Sequence, residues 1–343
     1  MKRTIATIRD VAEAAGVSIA TVSAVLNNSA RVSPAREARV RRAVAELGYA
    51  PQRSARSLRQ GKTLMLSLIV SDIANPFFAS VAGIIEREAD RRGYALLLSN
   101  TGDDEAKELR YLQHARGHNV DGLILVITGP QEHYTAEWRE RIGVPAVLVD
   151  RDLPALDLEC VATDNRLASA LAVRHLLALG HRRIGAVLGP DHLSPAAERS
   201  EGFFAAIAES DADRDPALFR HADFHSPDAY DKCQALLALP DRPTAIFVAN
   251  NLMAIGAMRA VAESGLRCPE DLSVVAIDDF EWSTAFYPRL TTVSQPIEAI
   301  GRRAVERLMN LLDGGEPTQP RKELLRPELI VRDSCAQPPR RPA

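Results

Sequence analysis

Apolar residues in the first fifty positions recur at helical spacing, in three short runs separated by capping and turn residues. Ile8, Val11, Ala12 and Ala15 share one helical face, Thr7 with Asp10 three residues on forms a capping pattern, and Gly16 supplies the stop, which predicts a helix over 8–15. Ser18 caps a second helix from Ile19 to about Asn27. Ser33, followed by Pro34, opens a third that ends at Leu47 before Gly48. Val17, Val22, Val25, Leu26, Val40, Val44 and Leu47 complete a miniature core. Between Tyr49 and Lys62 the chain is basic and nearly free of large apolar residues, Leu58 excepted, which predicts a linker over 51–62.

From Thr63 the pattern changes to apolar runs of strand length alternating with amphipathic stretches. Strands are predicted at 64–70, 95–99, 123–127 and 146–149, with helices at 79–92, 105–118 and, more weakly, around Trp138. A second series follows, with strands at 184–188, 219–223, 245–248 and 274–277 and helices at 167–179, 196–210, 227–239 and 252–264. The fold class expected is an all-α helix-turn-helix head on an α/β body of two doubly wound lobes with parallel sheets. Ligand sites in such lobes fall at the carboxyl ends of the strands. The proline-rich end CAQPPRRPA predicts a frayed tail.

Composition adds little, but the distribution of charge adds a good deal. Residues 1–62 hold 12 Lys and Arg against 4 Asp and Glu, in a chain of formal net charge −3. A basic head on an acidic body suits a polyanion-binding domain joined to an unrelated one. Cys160, Cys233, Cys268 and Cys335 are widely spaced, which argues against a disulfide framework or a zinc site. MKRTIATIRD lacks the apolar run of a signal peptide and no stretch reaches membrane-span length, so a cytoplasmic location without a membrane partner is expected.

Enzyme chemistry finds little support. Gly61-Lys62-Thr63 lacks the earlier glycine of a phosphate-binding loop, that position being Arg56. The pairs His114/His118 and His221/His225 have zinc-like spacing without the glutamate of an HExxH motif. With neither a Gly-x-Ser-x-Gly nor a dinucleotide fingerprint, no enzyme activity, cofactor or metal is expected. A sugar-binding transport component is the alternative, but it would need a signal peptide and has no use for a basic head.

Helix, glycine turn, helix is instead the plan of a DNA reader, with Ala12 small enough for close packing four residues before Gly16. The second helix would enter the major groove, bringing Ile19, Ala20, Thr21, Ser23, Ala24 and Asn27 to base edges or phosphates.

TIRDVAEAAGVSIATVSAVLNNSARVS, followed by ELGYAPQRSARSL, closely resembles the head and hinge of the lac repressor and purine repressor family (LacI/GalR). Further matches run through the body: NPFF (75–78), LVDR (148–151), TDN (163–165), LLALGHRRIG (176–185), AERSEGF (197–203), AIFVANNLMAIGA (245–257), CPEDLSVVAIDDF (268–280) and PRLTTVSQP (288–296). The resemblance implies a repressor that binds a pseudo-palindromic operator as a homodimer under the control of a small molecule. It also implies that Thr7, Ser18, Thr21, Ser23 and Ser33 reach phosphates and that Asn27 faces the groove. Arg53 to Leu58 matches the family's hinge helix, with Leu58 an apolar wedge in the minor groove, Ala55 on its face, and Arg53 and Arg56 near phosphates. Ala24 stands where several relatives carry Arg or His, so the usual guanine contact is lost there; Ile19 and Ala20 could touch thymine methyls instead.

The body resembles two-lobed periplasmic sugar-binding proteins. By that analogy one lobe takes about 63–161 and 291–322, the other about 162–290 and 323–335, with the chain crossing three times. Matching positions imply a ligand site of Phe77, Phe78, Thr128, Asp150 and Arg151 from one lobe and Arg199, Phe224, Asn250, Asp278 and Trp282 from the other. The relatives' Asn-Asp pair is here Asn250 and Asn251, Pro195 replaces a hydroxyl-bearing contact, and Leu193 replaces an arginine. The missing arginine at Leu193 favours a sugar or sugar acid over a purine. The tail has no apolar heptads, so no coiled-coil tetramer is expected.

Overall fold

A computed structural model describes residues 6–27, 30–49, 62–129, 133–134 and 136–339. The chain divides into two compact units, Met1–Thr63 and Leu64–Ala343.

In the first unit α1 (Ile8–Ala15), α2 (Ile19–Asn27) and α3 (Pro34–Leu47) surround a core of Val11, Val22 and Val40, all fully buried. Thr7 and Asp10 close the expected capping box, and Gly16 and Gly48 end their helices in the left-handed conformation that glycine adopts without strain. Two expectations need correction. Leu47 ends α3 and is 40% exposed, while Ala43, one turn earlier, takes the buried position. Ser33 stands at the N-cap of α3 but its side chain makes no capping bond, so Pro34, with its preset φ and missing N–H, marks the start.

The second unit holds two six-stranded sheets. Lobe 1 contains β1 (Met65–Val70), α4 (Pro76–Asp90), β2 (Ala95–Asn100), α5 (Glu105–Gly117), β3 (Gly122–Leu125), α6 (Ala136–Ile142), β4 (Ala146–Val149) and β5 (Glu159–Thr163). Lobe 2 follows with α7 (Asn165–Ala178), β6 (Ile184–Leu188), α8 (Ser194–Ala208), β7 (Phe219–His221), α9 (Ser226–Leu237), β8 (Ala245–Val248), α10 (Asn251–Glu263), β9 (Ser273–Ile277) and β10 (Thr291–Ser294). The chain returns to lobe 1 through α11 (Ile297–Leu312) and β11 (Lys322–Leu325), and β12 (Glu328–Ile330) closes lobe 2.

Strand order is β11-β5-β4-β3-β1-β2 in lobe 1 and β12-β10-β9-β8-β6-β7 in lobe 2. Every pairing is parallel except β10 with β12. Parallel strands are covered on both faces, which explains their unbroken apolar runs. On β1, Leu66, Leu68 and Val70 pack toward α4 and α11, while Ile69 joins Leu112 of α5 and Trp138 of α6 on the other face.

The lobe boundaries differ from those set by analogy. Thr291–Ser294 pairs with β9 in the second lobe, so the second crossing falls at Gln295, and the first follows β5 at Asp164. Lys322–Leu325 pairs with β5, which carries lobe 1 beyond residue 322 to the third crossing. Helix α11 and strands β5, β10, β11 and β12 lie outside the two series read from periodicity.

Candidate nucleic-acid interface and ligand cleft

On the head, the residues expected to meet DNA gather at the start of α2. Ser18, Ile19 and Ala20 are exposed and Thr21 and Ser23 half-buried. The Ser18 hydroxyl accepts from the Thr21 amide at 3.2 Å and bonds the Thr21 hydroxyl at 2.9 Å, so two hydroxyls cluster where backbone N–H groups favour an anion. Ile19 presents an apolar surface 44% exposed to water. Thr7 and Ser33 are exposed at the starts of α1 and α3. Asn27 is the last residue of α2, its side chain undescribed, and Arg53, Ala55, Arg56 and Leu58 lie outside the described residues.

The body holds a cleft of about 320 Å³ between the lobes, lined by residues that follow the carboxyl ends of strands. Phe77, Phe78, Thr128, Asp150 and Arg151 line it from lobe 1, and Arg199, Phe224, Asn250 and Asp278 from lobe 2. Trp282 does not line it. This residue sits in a short 3-10 turn, Glu281–Thr284, stacked on Phe280 at 6.1 Å and edge-on to Phe286 at 5.5 Å, so its ring is committed to packing.

Local backbone strain aims several of these groups. Asp150, Phe224 and Asp278 have φ of +66°, +69° and +79°, a region that non-glycine residues rarely occupy and that clusters at ligand sites. The Phe224 ring enters only because residue 189 is glycine: a Cβ there would lie 2.3 Å from the ring. Phe77 and Phe78 stand edge to face, centroids 5.1 Å apart, and the Arg151 guanidinium lies 5.8 Å from the Phe78 centroid.

The polar groups are held from behind. Arg151 donates to the Ile127 carbonyl at 2.8 Å, and Arg199 to Asn165 and the Ala249 carbonyl, both at 2.8 Å. Asn250 caps α10 through the Met253 amide and donates to the Phe224 carbonyl. Asp278 accepts from Gln295 and from the Asn251 amide. Asp150 differs: although only 6% exposed, its carboxylate receives no hydrogen bond from any described residue. Burial raises its pKa, and the nearby Arg199 and Arg151 pull it back. A buried carboxylate so placed can accept from a ligand hydroxyl or amine.

Several lining residues were not singled out from sequence. Asn75 caps α4 through the Phe77 amide and accepts from Asn251 across the lobes at 2.9 Å. Gln295, at a crossing, accepts from the Thr163 hydroxyl of another crossing while donating to Asp278. Both lie inside motifs already quoted, NPFF and VSQP, so a signal existed. Asp72, Asp103, Glu105 and Asp223 follow strands or open helices where periodicity is silent, and Asp103 pairs with Arg151 at 3.4 Å. Behind Thr128, the buried Glu108 accepts from the Thr128 amide and the Tyr134 hydroxyl, each at 2.9 Å, and desolvation pushes its pKa up to about 7.

Among the described residues no group of three or more His, Cys, Asp or Glu could hold a metal ion, and no helix is long and apolar enough to cross a membrane.

Residues 7–52 match the family model of bacterial regulatory proteins of the lacI family, and residues 173–335 that of the periplasmic binding protein-like domain. The chain is 34% identical to the transcriptional repressor PurR of Aliivibrio salmonicida, over 96% of its own length and 98% of the relative's. It is likewise 34% identical to the ribose operon repressor of Escherichia coli, over 96% and 100%. A lac repressor dimer bound to operator and an anti-inducer superposes with a TM-score of 0.87 at 30% identity, covering 97% of this chain and 100% of that one. A complex of the regulator CelR with cellobiose gives 0.71 at 32%, covering 96% and 99%. Its head, its two-lobed body and these relatives together make the chain a member of the LacI family, a ligand-responsive DNA-binding transcription regulator.

Proposed function

We propose that this regulator is a repressor that binds a two-fold symmetric operator as a dimer and answers to an uncharged polyhydroxylated effector, a sugar of mono- to disaccharide size. The carrying observation is the buried Asp150, which accepts no hydrogen bond from the described residues and feels the charge of Arg199 and Arg151. Vicinal hydroxyls bridge carboxylate and guanidinium by donating to one and accepting from the other. The cleft lining carries six carboxylates, Asp72, Asp103, Glu105, Asp150, Asp223 and Asp278, against two arginines, and Arg151 is itself paired with Asp103 at 3.4 Å. A carboxylate or phosphate ligand would meet a lining with more carboxylates than arginines, which turns the preference from sugar acids to sugars. Phe77, Phe78 and Phe224 supply apolar faces for a pyranose or furanose ring. Leu193 and Pro195 on the cleft wall offer no polar side-chain group to a purine edge.

In the head, Thr7, Ser18, Thr21, Ser23 and Ser33 would hold phosphates, Ile19, Ala20 and Asn27 would read the groove, and Leu58 with Ala55, Arg53 and Arg56 would serve the minor groove. Effector binding alters the relation of the lobes, and through the two hinges of a dimer the affinity for operator. The ribose repressor relative and the cellobiose-bound CelR are consistent with a sugar effector.

Thermal denaturation of the full chain in D-ribose, D-galactose, cellobiose, ribonate, ribose 5-phosphate and hypoxanthine tests the ligand class. A cognate ligand at a hundred times its Kd stabilises by about 2.7 kcal/mol. Stabilisation by an uncharged sugar supports the assignment. Stabilisation by the acids, the phosphate or hypoxanthine alone rejects it.

A further inference from the structure

Glu198 lies on α8 of lobe 2 and is 7% exposed, a carboxylate that must be paired to be tolerated. Its Oε1 accepts from Lys322 Nζ at 2.5 Å, and Lys322 belongs to β11 of lobe 1. From its own lobe Glu198 has Arg166, at 3.6 Å, and the Asn165 amide, at 3.1 Å. Asn165 then accepts from Arg199 Nε at 2.8 Å, so one amide joins Glu198 to an arginine of the cleft wall. On the other side Lys322 is shared with Asp152 of lobe 1 at 3.2 Å, and the Asp152 backbone amide donates across the lobes to Ser194 at 3.0 Å. An unbroken chain of contacts thus runs from Arg199 through Asn165 and Glu198 to Lys322 and Asp152. Burial would lower the Lys322 pKa, but Glu198 and Asp152 outweigh it and raise it, so the ammonium stays charged.

We propose that Glu198 is a positioning residue coupling the ligand cleft to lobe closure, holding the opposite lobe through Lys322 and the cleft arginine Arg199 through Asn165. When the lobes part, Lys322 keeps Asp152 but Glu198 loses its nearest cation. Opening therefore breaks the Glu198–Lys322 pair and leaves Glu198 only its own-lobe partners, Arg166 at 3.6 Å and the Asn165 amide, and a ligand that fixes Arg199 favours the arrangement in which Asn165 and Glu198 meet Lys322. This inference rests on the cleft being the effector site, although the strap itself is a property of the ligand-free chain.

The Asp152 amide is the reporter, because its hydrogen bond exists only while the lobes are together. Hydrogen exchange resolved to single amides is measured on the full-length wild type, Glu198→Gln, Lys322→Met and the double variant, without ligand and with D-ribose as probe. Both single variants should speed exchange at Asp152 about tenfold, and the double no further, since the two side chains act as one pair. Amides inside β8 and β9 should keep wild-type protection, which separates lobe opening from general loosening. With D-ribose, the probe's affinity should fall about tenfold in each variant, within the range typical of coupled sites. Lys322→Arg, which keeps the charge, should retain most of the protection.

Unchanged exchange at Asp152 in both singles, or additive effects in the double, overturns the strap. A wild type that gains no protection from D-ribose while the Asp152 pattern appears as described overturns that sugar as effector and supports the strap.

Discussion

Asp150 sits in the left-handed region at φ +66°, buried and with no side-chain hydrogen bond from the described residues. Asp150→Asn should therefore leave the fold intact while weakening the binding of an uncharged sugar by tenfold or more, since a hydrogen bond to a charged group is worth about 1.5–3 kcal/mol. Calorimetric titration checks this, and a retained affinity would remove the residue from the site. Glu108 behaves differently because it is enclosed by protein. Its pKa of about 7, against an ordinary 4.5, means that the folded chain holds this proton more tightly than the unfolded one. Its contribution to stability is thus full below pH 4.5 and lost as pH rises through about 7. Relative to Glu108→Gln, the wild type should lose at most about 3 kcal/mol between acid and mildly alkaline pH, read by urea denaturation across that range. Parallel pH profiles would show that Glu108 does not titrate there. Individual site residues were legible where a motif contained them, as with Asp150 in LVDR. They were not legible where a loop supplied them, as with Asp103 and Asp223. Trp282 shows the opposite failure, because a matching position cannot reveal that a ring has turned to neighbouring aromatics.

Helices α7 and α8 approach so closely that a Cβ at Gly202 would lie 2.2 Å from the Arg166 carbonyl oxygen, and the same holds for α9 and α10, where a Cβ at Gly256 would lie 2.1 Å from that of Ser226. Gly202→Ala should cost about 1–3 kcal/mol through overpacking, measurable as a lower denaturation midpoint of the body. An unchanged midpoint would mean that the two helices can part without loss. The same elements show what periodicity can deliver. The central strands and the helices between them were readable because each carries an apolar run or stripe long enough to count. Strands β11 and β12 were not, because edge strands of 4 and 3 residues bury little and carry polar side chains such as Lys322 and Glu328. Helix α11 was missed despite a strong apolar stripe of Ile300, Ala304 and Leu308, since it follows the return to lobe 1, where the strand and helix series no longer runs in order. In the hinge segment, Leu58→Ala should weaken binding to a specific operator more than binding to random duplex. Equal loss on both would deny Leu58 a wedge role.

For the whole molecule, the basic head implies that DNA affinity falls steeply with salt, with a logarithmic slope of about −0.9 for each phosphate neutralised. Control by a metabolite demands more than two binding sites on one chain, because the coupling free energy between them must be reciprocal. Whatever factor an effector imposes on operator affinity, operator must impose on effector affinity. A duplex selected by the protein from random-sequence DNA supplies the operator, and the sugar that stabilises the chain supplies the effector. The decisive measurement is calorimetric titration of that sugar into the dimer, alone and saturated with the selected duplex, beside DNA titrations with and without the sugar. The account predicts a two-fold symmetric selected sequence and one shared factor of roughly 5- to 150-fold in both directions. Equal sugar affinity in the presence and absence of operator would contradict it.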